Sequence, residues 1–315
     1  MRLQWAAFPL VALGMFAVQT HAQEPAKLEP MTSGERGFLA QVATSSIFIY
    51  RSNIDPCAPP PSDTLVNLPL GSGFVVGIRD NKSSTADMWR GWKFLITAKH
   101  VVANESEVVI RLNLAHEEKF ICHSMSLQDS GQDQNVYFGA LGVDVAAVSL
   151  PDIPQTDPAV IDASYILDEA AMKKLNIGVG TQVFTVGYIF GYSGPKANFP
   201  VTKFGEVSLI TGEKWFYSPD NQIVEQGYVI QLPNSPGLSG APVLTHGFEF
   251  DTTPFRIRQL PPYVIGVMKA LLLAPANGGY ISQDLAVIEP AANLRALIHD
   301  IALRLKDAGA NVDAD

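Results

Sequence analysis

The stretch GSGFVVGI, residues 71–78, indicates the fold class more directly than any other part of the chain. Its apolar run is rich in β-branched residues, bounded by glycines and too short for a core helix, which favours a buried strand. Short strands at regular spacing, separated by turn residues, are typical of an all-β barrel or sandwich. Similar segments surround this stretch: SSIFIYR (45–51), KFLITA (93–98), EVVIRLNL (107–114) and DVAAVSL (144–150).

A second set of strand-like segments, from TQVFTVGYI (181–189) to YVIGVMKALLL (263–273), follows a connector. Leucine and isoleucine then recur at three- and four-residue spacing from Leu294 to Leu305, which predicts an amphipathic helix. The sequence therefore predicts two β-barrels in series, closed by a helix. The predicted segments are a signal peptide (1–22), a flexible lead-in (23–35), an N-terminal barrel (36–155), a connector (156–178), a C-terminal barrel (179–290) and a C-terminal helix (291–308).

Residues 1–22 have the features of a secretory signal peptide. Arg2 is the only charged residue, an apolar run extends from Trp5 to Val18, and small residues precede a cleavage site near Ala22–Gln23. The alternative is an uncleaved membrane anchor, but this run is short for a membrane span, which needs roughly 20 apolar residues. We therefore expect an exported protein, periplasmic or secreted, with no transmembrane anchor after the signal is removed.

The composition limits the ligands that the chain is expected to bind. The net charge is -9 at pH 7 and no run of Lys and Arg occurs, so we do not expect a nucleic acid, whose phosphates need clustered cations. Histidines and cysteines lack the spacing of a metal site, so we expect neither metal nor cofactor, although calcium on loop carboxylates stays open. Cys57 and Cys122 either form one disulfide in an oxidising compartment or remain free thiols. The oligomeric state is not readable from the sequence.

Ser239 stands in SPGLSGAPV (235–243), two residues after Gly237 and just before Gly240. This pattern fits either a tight surface turn or an exposed nucleophile. A serine nucleophile needs a neighbouring base, and histidine suits that role near neutral pH. Among the six histidines, His100 ends an apolar strand in KFLITAKHVV, which predicts that its imidazole lies at the rim of a barrel.

Five short motifs that include these residues occur in a characteristic order. They are GSGFVVG (71–77), LITAKHVV (95–102), GVDVAAVSL (142–150), GLSGAPV (237–243) and YVIGV (263–267). The series resembles the chymotrypsin-like serine proteases of the trypsin fold, especially the exported bacterial branch that includes the protease domain of the high-temperature-requirement proteases. It extends over roughly residues 40–290 and implies two antiparallel six-stranded β-barrels packed together, with a C-terminal α-helix. No PDZ module of the kind found in that branch is expected.

The resemblance implies a serine endopeptidase that hydrolyses polypeptides through an acyl-enzyme intermediate. Ser239 would be the nucleophile and His100 the general base and later the general acid, while Asp144 would orient and stabilise the imidazolium. The backbone N–H groups of Gly237 and Ser239 would form the oxyanion hole, and Gly237 is expected to adopt a conformation closed to residues with a Cβ atom. The alternative for Asp144 is a carboxylate at a strand start, satisfied by backbone N–H groups.

Two positions depart from the pattern of the family. Members activated by cleavage have an aspartate just before the nucleophile, where this chain has Leu238, so we expect no activation of that type. Lys99 precedes His100, where a small residue is more usual. Pointing outward it is harmless, whereas pointing inward it would disfavour the imidazolium.

The resemblance also places the pocket for the residue that precedes the scissile bond. Its walls would include Pro233, Asn234, Met268, Lys269 and Ala270, with Pro233 at the bottom and no acidic residue there. We therefore expect an apolar or small substrate residue rather than Arg or Lys.

Two other classes of protein fit the sequence less well. A catalytically silent binding or sensor protein of the same fold has no need of the serine, histidine and aspartate, so it is the weaker alternative. An α/β-hydrolase esterase would need Gly-x-Ser-x-Gly and the order Ser, Asp, His, which this chain lacks.

Overall fold

A computed structural model of the chain describes most of the residues from 42 to 312. The described ranges are 42–58, 69–80, 90–114, 119–129, 131, 134–156, 158–189, 194, 196–212, 215–217, 222–224, 227–233, 235–246, 248–252, 255–259, 262–276 and 279–312. The predicted signal peptide and lead-in lie outside these ranges, as does Asn234 of the predicted pocket.

The first half of the chain forms one sheet in the order β5-β4-β1-β2-β3-β7-β6, and β8 pairs with β2 in parallel. The other pairs are antiparallel, as short connections between consecutive strands favour. The strands are β1 (Ser46–Arg51), β2 (Gly71–Arg79), β3 (Gly91–Thr97), β4 (Glu107–Asn113), β5 (Phe120–Ser126), β6 (Val136–Phe138), β7 (Ala146–Leu150) and β8 (Ile161–Asp162).

The second half forms a closed antiparallel barrel in the order β10-β13-β18-β17-β14-β9, beside two separate hairpins, β11-β12 and β15-β16. The strands are β9 (Gln182–Gly187), β10 (Val201–Thr211), β11 (Trp215–Tyr217), β12 (Gln222–Val224), β13 (Gly227–Gln231), β14 (Pro242–Thr245), β15 (Phe248–Thr252), β16 (Phe255–Gln259), β17 (Val264–Ala276) and β18 (Gly279–Pro290).

Among the described residues, the strands are accompanied by a helical turn at 42–45 and by the α-helices α1 (Lys99–Val102), α2 (Glu169–Lys174) and α3 (Ala291–Asp307). In the connector, the Asp168 carboxylate accepts a hydrogen bond from the N–H of Ala171 at 2.7 Å and so caps α2. Within the described ranges, no helix has the length and apolar character that crossing a membrane requires.

The two sheets pack on each other and on α3 through one shared apolar core. Phe74 of the first sheet, Phe184 of the second and Leu294 of α3 belong to the same buried cluster. A smaller aromatic contact joins the sheets elsewhere, where the ring of Phe48 stacks on that of Tyr188. The predicted all-β fold of two packed barrels with a C-terminal helix is confirmed.

The N-terminal sheet differs in detail from the predicted six-stranded barrel. It has two additional short strands, β6 and β8, and its edge strands β5 and β6 do not pair along their length in the described structure. Isolated hydrogen bonds from the N–H groups of Asn135 and Val136 to the carbonyl of Gln128 span this gap, at 2.9 and 3.0 Å. The sheet is therefore a half-barrel.

The two cysteines form a disulfide between Cys57 and Cys122. It links the segment after β1 to β5, across 65 residues of sequence. Of the two possibilities that the sequence left open, the structure has the paired one. The nearby carboxylate of Asp55 completes a cluster of potential metal ligands. Because both sulfurs are bonded to each other, that cluster offers a metal only one carboxylate.

Candidate active site

His100 and Asp144 meet at the end of the N-terminal half-barrel. His100 lies in α1, one turn after β3 ends, and Asp144 lies in the loop before β7. The carboxylate binds residue 100 twice: Oδ2 is 2.8 Å from the ring Nδ1, and Oδ1 accepts the backbone N–H at 2.9 Å. A carboxylate partner favours the tautomer with a proton on Nδ1, which leaves Nε2 as the proton acceptor.

Asp144 is held in its ionised form by its neighbours. Burial alone would raise the pKa of its carboxyl, but the hydrogen bonds from His100 and the positive charge of Lys269 outweigh burial and lower the pKa below its usual value. A negative charge is therefore maintained beside the imidazole, where it stabilises the imidazolium that forms whenever Nε2 takes up a proton.

Ser239 lies in the turn between β13 and β14, and glycines determine the shape of that turn. Gly237 and Gly240 have φ angles of 102° and 87°, in the left-handed region that residues with a Cβ atom rarely adopt. A Cβ atom on Gly240 would also collide with the carbonyl of Ser72 and the hydroxyl of Thr97. Glycine at position 240 thus lets the turn pack directly against the ends of β2 and β3.

Ser72, the second residue of β2, fastens this turn to the N-terminal half-barrel. Its N–H donates to the carbonyl of Ser239 at 2.8 Å and its hydroxyl donates to the carbonyl of Gly237 at 2.7 Å. The same hydroxyl accepts the N–H of Tyr188 at 2.9 Å, and the Ser72 carbonyl accepts the hydroxyl of Thr97 at 2.7 Å. Ser72 lies in the first motif of the series, but the motif alone gives no sign of these contacts with the Ser239 turn.

The turn that contains Ser239 lies close to the main chain near His100. A Cβ atom on Gly240 would lie 3.0 Å from the backbone nitrogen of Ala98, so the turn passes close to a residue two positions before His100. The hydroxyl of Ser239, however, makes no hydrogen bond to any residue that the structure describes. The structure thus joins Asp144 to His100 and places the Ser239 turn beside them.

A cavity of about 240 Å³ opens beside Ser239. Met268, Lys269 and Ala270 of the predicted pocket line it, whereas Pro233 is not among the lining residues. The ammonium group of Lys269 lies 3.0 Å from the buried carboxylate of Glu289. The complete lining is Leu70, Ser235, Pro236, Gly237, Leu238, Ser239, Met268, Lys269, Ala270 and Leu271.

The two departures from the family pattern have clear structural settings. Leu238 is buried and packs in the core of the C-terminal barrel, where an aspartate would need a charged partner. The ammonium group of Lys99 lies over the ring of Phe138, 5.3 Å from its centroid. A cation–π contact of this kind holds the lysine toward the aromatic ring.

The sequence identifies the family of proteins to which the chain belongs. Residues 71–250 match the family described as trypsin-like peptidase domain, so the chain belongs to that family of proteases. No curated protein matches the chain significantly.

Three solved structures have a similar fold. The protease domain of MamO from Magnetospirillum magneticum has 13% sequence identity and a TM-score of 0.48, with 82% of this chain and 97% of that chain covered. The active form of the Rv3671c protease from M. tuberculosis has 18% identity and a TM-score of 0.43, with coverages of 88% and 87%. A mutant of human heparin binding protein has 14% identity and a TM-score of 0.43, with coverages of 84% and 93%.

Proposed function

We propose that the protein is a serine endopeptidase in which Ser239, His100 and Asp144 act as a catalytic triad. The observation that carries the proposal is the double hydrogen bond from residue 100 to Asp144, beside a nucleophile turn that two left-handed glycines shape. A carboxylate that fixes the imidazole in one tautomer is what a serine nucleophile needs from its base.

The reaction would follow the arrangement of these groups. Nε2 of His100 takes the proton of Ser239 as Oγ attacks the carbonyl carbon of the scissile bond, and the resulting oxyanion accepts hydrogen bonds from the N–H groups of Gly237 and Ser239. The imidazolium then gives its proton to the amine as the C–N bond breaks, which leaves an acyl-enzyme. Water, activated by the same imidazole, releases the acid and regenerates Ser239.

The cavity beside Ser239 supports a substrate with an apolar or small residue before the scissile bond. Met268, Lys269 and Ala270 line it, and the charge of Lys269 is neutralised by Glu289. A library of peptides that differ at this position tests the specificity. Selective cleavage after apolar or small residues is expected, and selective cleavage after Arg or Lys would contradict it.

Export to the periplasm or the medium is also part of the proposal. The features of residues 1–22 and the disulfide between Cys57 and Cys122 support it, because disulfides persist in oxidising compartments. The N-terminal sequence of the protein recovered from its producing cells tests it, with cleavage expected after Ala22.

Labelling with a fluorophosphonate probe tests the catalytic proposal. The wild type is expected to be labelled, and Ser239→Ala and His100→Ala to lose labelling by at least about a thousandfold, because a serine without its base is a poor nucleophile. Ser124→Ala and His299→Ala are matched controls, since both residues are exposed and neither lines the cavity beside Ser239. A folded wild type that resists the probe would favour the catalytically silent binding protein.

A further inference from the structure

A buried ion pair between Lys269 and Glu289 contacts the backbone of Asp144. Glu289, the penultimate residue of β18, is 1% exposed. Its Oε2 accepts the ammonium group of Lys269 and the backbone N–H of Asp144, both at 3.0 Å, and its Oε1 accepts the side-chain amide of Asn293. Both carboxylate oxygens are therefore engaged, and one of them is bonded to the residue that orients the imidazole.

We infer that Lys269 and Glu289 are positioning residues, which hold Asp144 in register with His100 and balance the charge beside the pair. The inference rests on the proposed function, because it assigns these residues a part in the same site. The ammonium group of Lys269 binds Glu289, and Glu289 binds the backbone N–H of Asp144, so both charges would act through Asp144.

The backbone is shaped to make this contact. The register of β17 against β18 shifts between Met268 and Ala270, so Lys269 is the extra residue of a β-bulge. A bulge re-aims a side chain that regular alternation would point elsewhere. Glu289 lies opposite Val267 in the same ladder, beside the bulge. The bulge thus places a lysine of the pocket wall over a carboxylate of the next strand.

The energetic cost of burying these groups points to a specific role. An ion pair withdrawn from water gains little over an apolar pair of the same volume, because both ions lose their hydration. Glu289 nevertheless gives one oxygen to the Asp144 backbone, and Lys269 contributes to the lowered pKa of the Asp144 carboxyl. Fixing that backbone keeps Oδ1 and Oδ2 aligned with the two N–H groups of His100.

The charges that face Asp144 come from three parts of the molecule. They are His100 on α1, Lys269 on β17 and Glu289 on β18, while the neighbouring Lys99 turns to Phe138. Removing one member of the ion pair therefore leaves one uncompensated charge beside the histidine. That charge must change the pH at which the imidazole titrates, in a direction set by its sign.

The experiment compares Lys269→Met, Glu289→Gln and the double variant. The rate of fluorophosphonate labelling is measured against pH, and its acid limb reports the uptake of a proton by His100. In Lys269→Met the extra negative charge stabilises the imidazolium and should move the limb about 0.5–1 pH unit upward; Glu289→Gln should move it downward by a similar amount. The double variant, which is neutral and keeps the shape of the pair, should return toward the wild type.

A second ion pair provides the control. Arg79 and Asp162 lie 2.6 Å apart, outside the cavity beside Ser239. Arg79→Met and Asp162→Asn should leave the acid limb in place. If Lys269→Met and Glu289→Gln only lower stability or maximal rate, and the limb does not move, the ion pair is merely structural and the inference is wrong.

Nuclear magnetic resonance of the His100 ring keeps this result separate from the proposed function. The midpoint of its titration is followed in the wild type and the three variants, whether or not Ser239 reacts with the probe. Opposite shifts in the single variants and cancellation in the double variant support the inference. Unchanged midpoints overturn it, and failure of the wild type to be labelled overturns only the proposed function.

Discussion

Ser72 takes part in four hydrogen bonds, and three of them involve residues of the C-terminal barrel. This chain has the buried Leu238 rather than an aspartate before Ser239, so other contacts must hold the turn that contains Ser239. The hydroxyl of Ser72 can do this, because it donates a hydrogen bond to the carbonyl of Gly237 and accepts one from the N–H of Tyr188.

Replacing Ser72 by alanine should therefore slow the reaction more than it destabilises the fold. We expect Ser72→Ala to label about tenfold more slowly, because the Gly237 peptide loses its anchor, while the free energy of unfolding falls by about 1 kcal/mol. Ser45→Ala is the matched control, since Ser45 is equally buried and donates to the carbonyl of Val42. Equal labelling rates in the two variants would contradict this role.

From the lowered pKa of the Asp144 carboxyl we predict how the free energy of unfolding depends on pH. A carboxyl whose pKa is lower in the folded state contributes stability at neutral pH, and this contribution is lost as the pH falls below 3.8 and through the folded value. The difference in unfolding free energy between wild type and Asp144→Asn should therefore be largest near pH 7 and shrink in acid. Urea unfolding across this range measures it.

Asp152→Asn is the control for this series. Asp152 pairs with Lys93 at 3.0 Å, but its side chain is 91% exposed. Exposed ion pairs contribute little to stability, so this variant should follow the wild type at every pH. A difference for Asp144→Asn that stayed constant with pH would show that its carboxylate is not stabilised by folding.

At the scale of elements, α3 is fixed to both sheets by its apolar face. Ile301 is 1% exposed and belongs to the shared core, whereas Leu303, two residues on, is 41% exposed. Ile301→Ala should lower the free energy of unfolding by about 2–5 kcal/mol, and Leu303→Ala should change it by less than about 0.5 kcal/mol. Thermal or urea unfolding of both variants tests this, and equal losses would mean that α3 is not docked as described.

Elements with a periodic apolar pattern were predictable from the sequence, because their side chains face a core whatever their partners are. β2, with its run of buried residues, and the Leu294–Leu305 face of α3 are of this kind. Short strands such as β6 carry too little pattern, and their pairing depends on the neighbours that tertiary structure supplies.

Site residues were predictable only where a motif identified them. The motifs contained His100, Asp144 and Ser239, whose proposed roles stay predictions until they are tested. The motifs gave no sign of the partnership between Lys269 and Glu289, because it depends on a bulge that brings residues of two strands together. The pairing of Cys57 with Cys122 likewise depends on the register of β4 with β5, which alternation of side chains alone does not define.

At the scale of the whole molecule, further contacts join the two halves of the chain. The hydroxyl of Tyr188 donates a hydrogen bond to the carbonyl of Ser46 at 3.2 Å. Farther out, the buried guanidinium of Arg111 donates to the carbonyl of Gly194 at 2.6 Å. Cys122 packs against the aromatic cluster that includes Phe48 and Tyr188. The disulfide thus supports the half-barrel close to its contact with the other barrel.

Removing the disulfide should therefore destabilise the whole fold. A bond that closes a loop of this length restricts the unfolded chain and is worth about 4 kcal/mol in the entropic model, so the Cys57→Ser/Cys122→Ser variant should unfold at lower temperature by several degrees. Calorimetry with and without reductant measures the effect. Reductant should lower the unfolding temperature of the wild type and leave that of the double variant unchanged; the opposite pattern would contradict the assigned bond.

The groups that surround Ser239 are far apart along the chain, and their order governs when the site can form. Ser72 and His100 are synthesised before Ser239, whereas Glu289 and Asn293, which hold Asp144 in place, are synthesised after it. Chains emerge from the ribosome N-terminus first. If the proposed function is correct, a nascent chain contains Ser239 before it contains the residues that hold Asp144 in place. The proposed site is therefore complete only once the segment that contains Glu289 and Asn293 has been made.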